Sequence, residues 1–155
     1  MITTYSGLYR YNMLDVVKVV DFIGRTPIIV FCGKSSEQLI VDGKTIYGYQ
    51  IADIIQMVER QLDIEFDLVQ AFVTDNGYAV MLETKNQVNY DVLKQTIGQV
   101  AKAQCGYVPD TIYIMDHQYK DSLFTERTRI DRGACGIKLP IVISEAPKQH
   151  IMQVL

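Results

Sequence analysis

"AFVTDNGYAVML", Ala71 to Leu82, decides the fold. Two β-prone runs flank Asp75-Asn76-Gly77, and Asn-Gly accepts positive φ at little cost, so the stretch reads as a tight hairpin. The strands it predicts are Phe66 to Thr74 and Tyr78 to Thr84. Both sides of this hairpin have helical period. Upstream, Tyr47, Ile51, Ile54, Ile55, Val58 and Leu62 fall on one face, with Asp53, Glu59 and Arg60 off it. Downstream, Asn89 is placed as an N-cap, with Val88 and Leu93 as a hydrophobic staple. That helix runs to about Gln104, and Gly106 supplies the stop. Outside the helices, Gln38 to Val41 and Thr111 to Met115 read as strands. From Gln38 the order is strand, helix, strand, strand, helix, strand. This is an α+β, split βαβ (ferredoxin-like) pattern: an antiparallel sheet with helices on one face.

The flanks extend this reading. A third helix is expected from Ser122 to Arg132, ending at Gly133. Lys138 to Ser144 reads as extended, and the last residues as a tail or short helix. The first 33 residues do not fit the split βαβ unit. Leu14 to Phe22 and Ile28 to Cys32 read as two strands, with a break at Arg25 to Pro27, and form a short β-hairpin segment. Gly33 to Glu37, small and polar, reads as a hinge. The expected organisation is a β segment over 1–33 and an α+β domain over 34–155.

Composition narrows the function. Of 155 residues, 48% are hydrophobic and 21% charged, the profile of a globular protein with a sizeable core. Net charge is −3 and no Lys/Arg run stands out, which argues against nucleic acid as a partner. No apolar stretch reaches the ~18–20 residues of a membrane span. Cys32, Cys105 and Cys135 are odd in number and widely spaced, as free thiols in a reducing cytoplasm would be. His117 and His150 stand at no metal-ligand spacing with them, so no metal site is expected. No G-x-S-x-G, P-loop or G-x-G-x-x-G is present.

Four positions invite a chemical reading. Asp15, at a strand start behind Tyr9, Arg10 and Tyr11, is either a strand-edge acid or a carboxylate able to accept from two neighbouring hydroxyls. Lys44, just past Asp42-Gly43, is either a solvated turn residue or a mobile point charge for phosphate. Arg132-Gly133 with Lys138 suits an anion, and Arg132 equally suits a helix C-terminus.

"GLYRYNMLDVVKVVDF", Gly7 to Phe22, resembles the C-terminal portion of the Gretchen Hagen acyl-acid amido synthetases, the auxin-responsive family of adenylate-forming ligases. That family reads G-L-Y-R-Y-x-x-G-D-V-V-x-V. The likeness continues through "FIGRTP", "VDGKT" (Val41 to Thr45) and "RGACGIKLP" (Arg132 to Pro140). The resemblance implies that a carboxylate attacks ATP to form an acyl adenylate, which an amine then converts to an amide. It implies that Asp15 holds the ribose hydroxyls, preceded by Tyr9 and Arg10. It likewise implies that Lys44 reaches the phosphate side and that Lys138 is the late lysine of the C-terminal domain. Leu14 departs from the family's glycine. The phosphate loop and acyl-binding domain, N-terminal in the family, have no counterpart in the 155 residues. The chain is therefore expected to be inactive alone, to use ATP/AMP with Mg only when a large domain completes it, and to partner either a separately encoded N-terminal adenylation domain or a second copy. The rival expectation is a non-catalytic ligand-binding or dimerising regulatory module, since fold does not fix function.

Overall fold

The computed structural model describes residues 1–7, 9–130, 139–144 and 151–155, without the side chains of 126–130, 152 and 153. Two hairpins lead the chain: β1 (Asp15–Ile23) with β2 (Thr26–Lys34), and β3 (Gln38–Val41) with β4 (Lys44–Tyr47). Then follow α1 (Gly48–Leu62), β5 (Leu68–Thr74), β6 (Gly77–Glu83), α2 (Tyr90–Gln104), β7 (Thr111–Met115), α3 (Tyr119–Ile130) and β8 (Ile151–Val154).

The glycine turns differ from one another. Asp42 and Gly43 both take positive φ, 49° and 74°, between the paired Val41 and Lys44. That is the geometry of a two-residue primed turn. It folds β3 straight back onto β4, a strand that helical periodicity conceals. In the hairpin Ala71–Leu82 the closing pair is Thr74 and Gly77, so Asp75-Asn76 make the turn and the glycine opens β6 instead.

The α+β class and the leading hairpin are as expected, whereas the sheet differs in three ways. The strand order is β5-β6-β7-β8, and β6 pairs with β7 in parallel, so the sheet is mixed rather than antiparallel. The 15-residue α2 is the crossover such pairing requires. β3 finds its backbone partner in β4 and lies outside the four-stranded sheet, so the expected split βαβ pairing does not form. The chain end is a strand: β8 lies antiparallel to β7, with Tyr113 opposite Val154. Val142 bridges Ala71 in parallel, adding a short segment at the other edge.

Helices cover both faces rather than one, because β6 and β7 are apolar on both sides. Val80, Leu82, Ile112 and Ile114 point into the main core with Ile51, Ile54, Ile55 and Val58 of α1 and Leu93, Ile97 and Val100 of α2. Ala79, Met81 and Met115 point the other way, against Leu68, Phe72 and Tyr119, with Leu123 of α3 and Leu139 packed on them. Strands buried on both faces lose alternation, as expected for parallel pairing. Behind the sheet lies a buried polar network. Tyr119 donates its hydroxyl to Gln70 Oε1 at 3.1 Å, and Gln70 Nε2 donates to Pro140 O at 3.2 Å. Glu83, 2% exposed, accepts from the Lys120 backbone N–H at 2.7 Å in the first turn of α3.

α1 carries its apolar face as expected, with Gln50 Oε1 accepting from the Tyr47 N–H at 3.0 Å and Asp63 closing it at φ 53°. α2 starts where Asn89 places it: its carboxamide oxygen accepts from the N–H of Asp91 and of Val92. α3 begins at Tyr119, three residues before the expected Ser122; its expected end at Arg132-Gly133 lies outside the described residues.

The first hairpin is unlike the rest. Residues 17–31 are all exposed. Its two-residue turn, Gly24-Arg25, has Gly24 at φ 61°. Two register shifts interrupt the ladder, leaving Cys32 and Val20 without an opposite residue. Each is a bulge that absorbs one extra residue. Paired residues share a face, and faces alternate pair by pair. Hence one face carries Asp15–Lys34, Val17–Phe31, Val19–Ile29 and Phe22–Pro27. The other carries Val16–Gly33, Lys18–Val30, Asp21–Ile28 and Ile23–Thr26.

Candidate functional site

Asp15 sits at the base of the first hairpin, where the loop 12–14 enters β1. Asn12 Oδ1 accepts from the Leu14 N–H at 3.0 Å, a local side-chain turn that holds Leu14 at φ 58°. This is left-handed backbone, which a non-glycine residue adopts at a cost of roughly 1–2 kcal/mol. The Leu14 carbonyl then accepts from the Ser35 N–H at 2.7 Å. The departure from the family's glycine is therefore a matter of backbone conformation as well as of bulk.

The Asp15 carboxylate forms an ion pair with Lys34, whose Nζ also donates to the Met13 carbonyl at 3.0 Å. The Asp15 side chain is 21% exposed, that of Lys34 46%. One ammonium thus ties the entering loop, the first residue of β1 and the last residue of β2 together. A pair this exposed contributes little to stability, ~0.2–1 kcal/mol. Its chemical effect is to occupy one of two carboxylate oxygens, both of which a vicinal diol would use. Lys34 went unassigned in the sequence because Gly33 to Glu37 reads as a hinge. The signal was present: a two-residue turn at Gly24-Arg25 with a bulge in each strand puts residue 34 opposite residue 15.

The other expected site residues lie elsewhere. Arg10 has φ 48° and donates its backbone N–H to Thr3 Oγ1 at 3.1 Å, in a small N-terminal loop closed by the Ile2–Tyr11 bridge. Tyr9 in that loop is exposed. Lys44 stands on the second hairpin with its Nζ 5.0 Å from the centre of the Tyr107 ring. The Tyr107 hydroxyl, accepting a hydrogen bond, holds the Lys44 ammonium above the usual lysine pKa, with a smaller pull from Asp42. Among the described residues no hydrogen bond or ion pair joins Asp15 to Lys44, Arg10 or Tyr9. Lys138 lies outside the described residues. Among the described residues no group of three or more His, Cys, Asp or Glu side chains could hold a metal ion, and no helix is long and apolar enough to cross a membrane.

Comparison with known proteins agrees with the resemblance carried by the opening stretch. Residues 1–34 match the GH3 family central domain. A probable indole-3-acetic acid-amido synthetase GH3.1 from Oryza sativa subsp. japonica is 43% identical over 42 residues, 27% of this chain and 7% of that protein. The fold is similar to that of a GH3.15 acyl acid amido synthetase at a TM-score of 0.70 and 17% identity, covering 98% of this chain and 32% of that one. The same enzyme in complex with 2,4-DB gives 0.67 and 18% over the same shares. The chain thus spans under a tenth of the curated relative and about a third of the solved structures. In its opening sequence and in its fold it resembles a fragment of a GH3 acyl acid amido synthetase.

Proposed function

We propose that the chain is the C-terminal part of an acyl-acid amido synthetase-like, ATP-dependent adenylate-forming ligase that turns a carboxylate into an acyl adenylate and then an amide, and that it is inactive alone. The observation that carries this is the coincidence of two independent matches: the GH3 central-domain match over residues 1–34, and the amido-synthetase fold over 98% of the chain. Asp15 is the ribose contact, with Tyr9 and Arg10 ahead of it. Lys44 and Lys138 are the cations that meet the phosphate side, and the stretch after Gly33 is the hinge between the 1–33 segment and the α+β domain.

The described residues fit the nucleotide at one end only. The Asp15 carboxylate can accept from one ribose hydroxyl as it stands, and from both once Lys34 releases the oxygen it holds. Among the described residues nothing around it offers the converging backbone N–H groups and cations that a triphosphate with Mg requires. An adenylation domain supplied N-terminally, in the same polypeptide or as a separate one, provides those groups in this reading. Isolated, the chain binds ATP and AMP weakly at best. The free thiols of Cys32 and Cys105 suit a cytoplasmic location.

The test is ATP–pyrophosphate exchange by the chain mixed with a large adenylation fragment. Exchange above that of the fragment alone supports the reading, and its absence rejects it. A second reading, a non-catalytic ligand-binding or dimerising module, draws on the exposed first hairpin. It predicts a calorimetric amino-acid signal that survives Asp15→Ala.

A further inference from the structure

The first hairpin presents an uninterrupted apolar face. Along it run three cross-strand pairs, Val17–Phe31, Val19–Ile29 and Phe22–Pro27. Five of these side-chain positions are 47–60% exposed: Val17, Val19, Phe22, Ile29 and Phe31. Scattered single apolar residues need no explanation, but a contiguous ridge of this kind marks an interaction surface. The opposite face is different: Lys18, Asp21 and Thr26 interrupt it. The two bulges are what keep the ridge in line. Without them the extra residues Val20 and Cys32 would throw Phe22 and Phe31 out of step with Val17 and Val19.

We infer that this face of β1–β2 is a docking surface whose occupant is the apolar layer of the remainder of a GH3-type central domain. The identity of that occupant rests on the ligase reading above. The argument for it is that residues 1–34 match a domain described as central, and that a protein of the same fold has about two thirds of its length outside the shared region. A two-stranded ribbon with no partner is marginal in water. The ridge is of the kind one sheet lays against another, about 10 Å apart. The pair Asp15–Lys34 closes the ridge at its hinge end, on the same face. Docking therefore places the Asp15 carboxylate at the seam between the partner and the α+β body, whereas Lys18 and Asp21 stay on the far side.

The probe is the N-terminal two thirds of the solved GH3.15 acyl acid amido synthetase, ending before the region that superposes on residue 1. Sedimentation velocity of the mixture is expected to show a 1:1 complex. Phe31→Asp and Ile29→Lys are expected to weaken it by about ten-fold or more, and Lys18→Glu to leave it unchanged. Unchanged far-ultraviolet circular dichroism of all three variants shows that the α+β body stays folded. No complex with the unaltered chain, or equal binding by Phe31→Asp and Lys18→Glu, overturns the inference. So does a dimer of the chain alone that Phe31→Asp dissolves, because it assigns the ridge to a second copy. Pyrophosphate exchange run on the same mixtures separates the two claims. A complex without exchange rejects the ligase reading and leaves the docking face standing; exchange indifferent to Phe31→Asp does the reverse.

Discussion

Leu14 is a leucine in a conformation that glycine adopts at no steric cost, and its carbonyl anchors the Ser35 N–H. Leu14→Gly is expected to relieve about 1 kcal/mol of local strain, slowing hydrogen exchange at Ser35 about five-fold. Unchanged exchange there would count against strain at this residue. Glu83 presents the opposite problem, a carboxyl with too little water. Burial pushes its pKa above the ordinary 4.5, while the Lys120 N–H pulls it partly back. Between 4.5 and the raised value the folded state binds more protons than the unfolded one. Glu83 therefore costs stability as pH rises through that window. Glu83→Gln keeps an oxygen for the Lys120 N–H and removes the charge. Thermal melts should find the variant more stable than the parent at pH 7 and equal to it below the window. A parent that is the more stable at pH 7 would show that the ionised form is the better cap.

At the scale of elements, α2 starts on a single side chain. Asn89→Ala strips the acceptor from two backbone N–H groups and is expected to destabilise by about 1 kcal/mol, read from the urea midpoint. Loss of less than a few tenths would mean that water replaces the cap. α1 and α2 were legible because each turn repeats an apolar stripe, and because Asn89 and Gly106 carry local signals that tertiary contacts do not alter. The sheet was less legible. β4 is four residues long and merges into the period of α1. β8 has too little pattern to outweigh the look of a tail. That β6 pairs with β7 rather than with β3 depends on where a crossover helix lands, which no local pattern records. The site is legible in part: Asp15 stands out, whereas Lys34 does not, because Gly33 to Glu37 reads as a hinge and a strand ending at Cys32 leaves residue 34 unpaired; the two bulges, one per strand, offset each other and do not alter that register.

Across the described residues the molecule pairs a buried α+β body with a first hairpin exposed from residue 17 to 31. The body buries Ile97, Leu82 and Val58 in one core. Ile97→Ala should cost about 2–5 kcal/mol and be felt in every body strand by hydrogen exchange. In the isolated chain β1–β2 amides should exchange far faster than those of β5–β7 and ignore that substitution. Equal protection of hairpin and body would mean that they fold as one unit. The bulges in the ribbon also bear on chain length. Val20 and Cys32 are each one residue beyond what the ladder needs, so losing either codon leaves the remaining pairs facing as before. Losing Val30 instead draws Cys32 into the ladder and turns Phe31 to the opposite face. Single-residue deletions two positions apart, as harmless or as damaging as each other in a loop, should here fall into opposite classes.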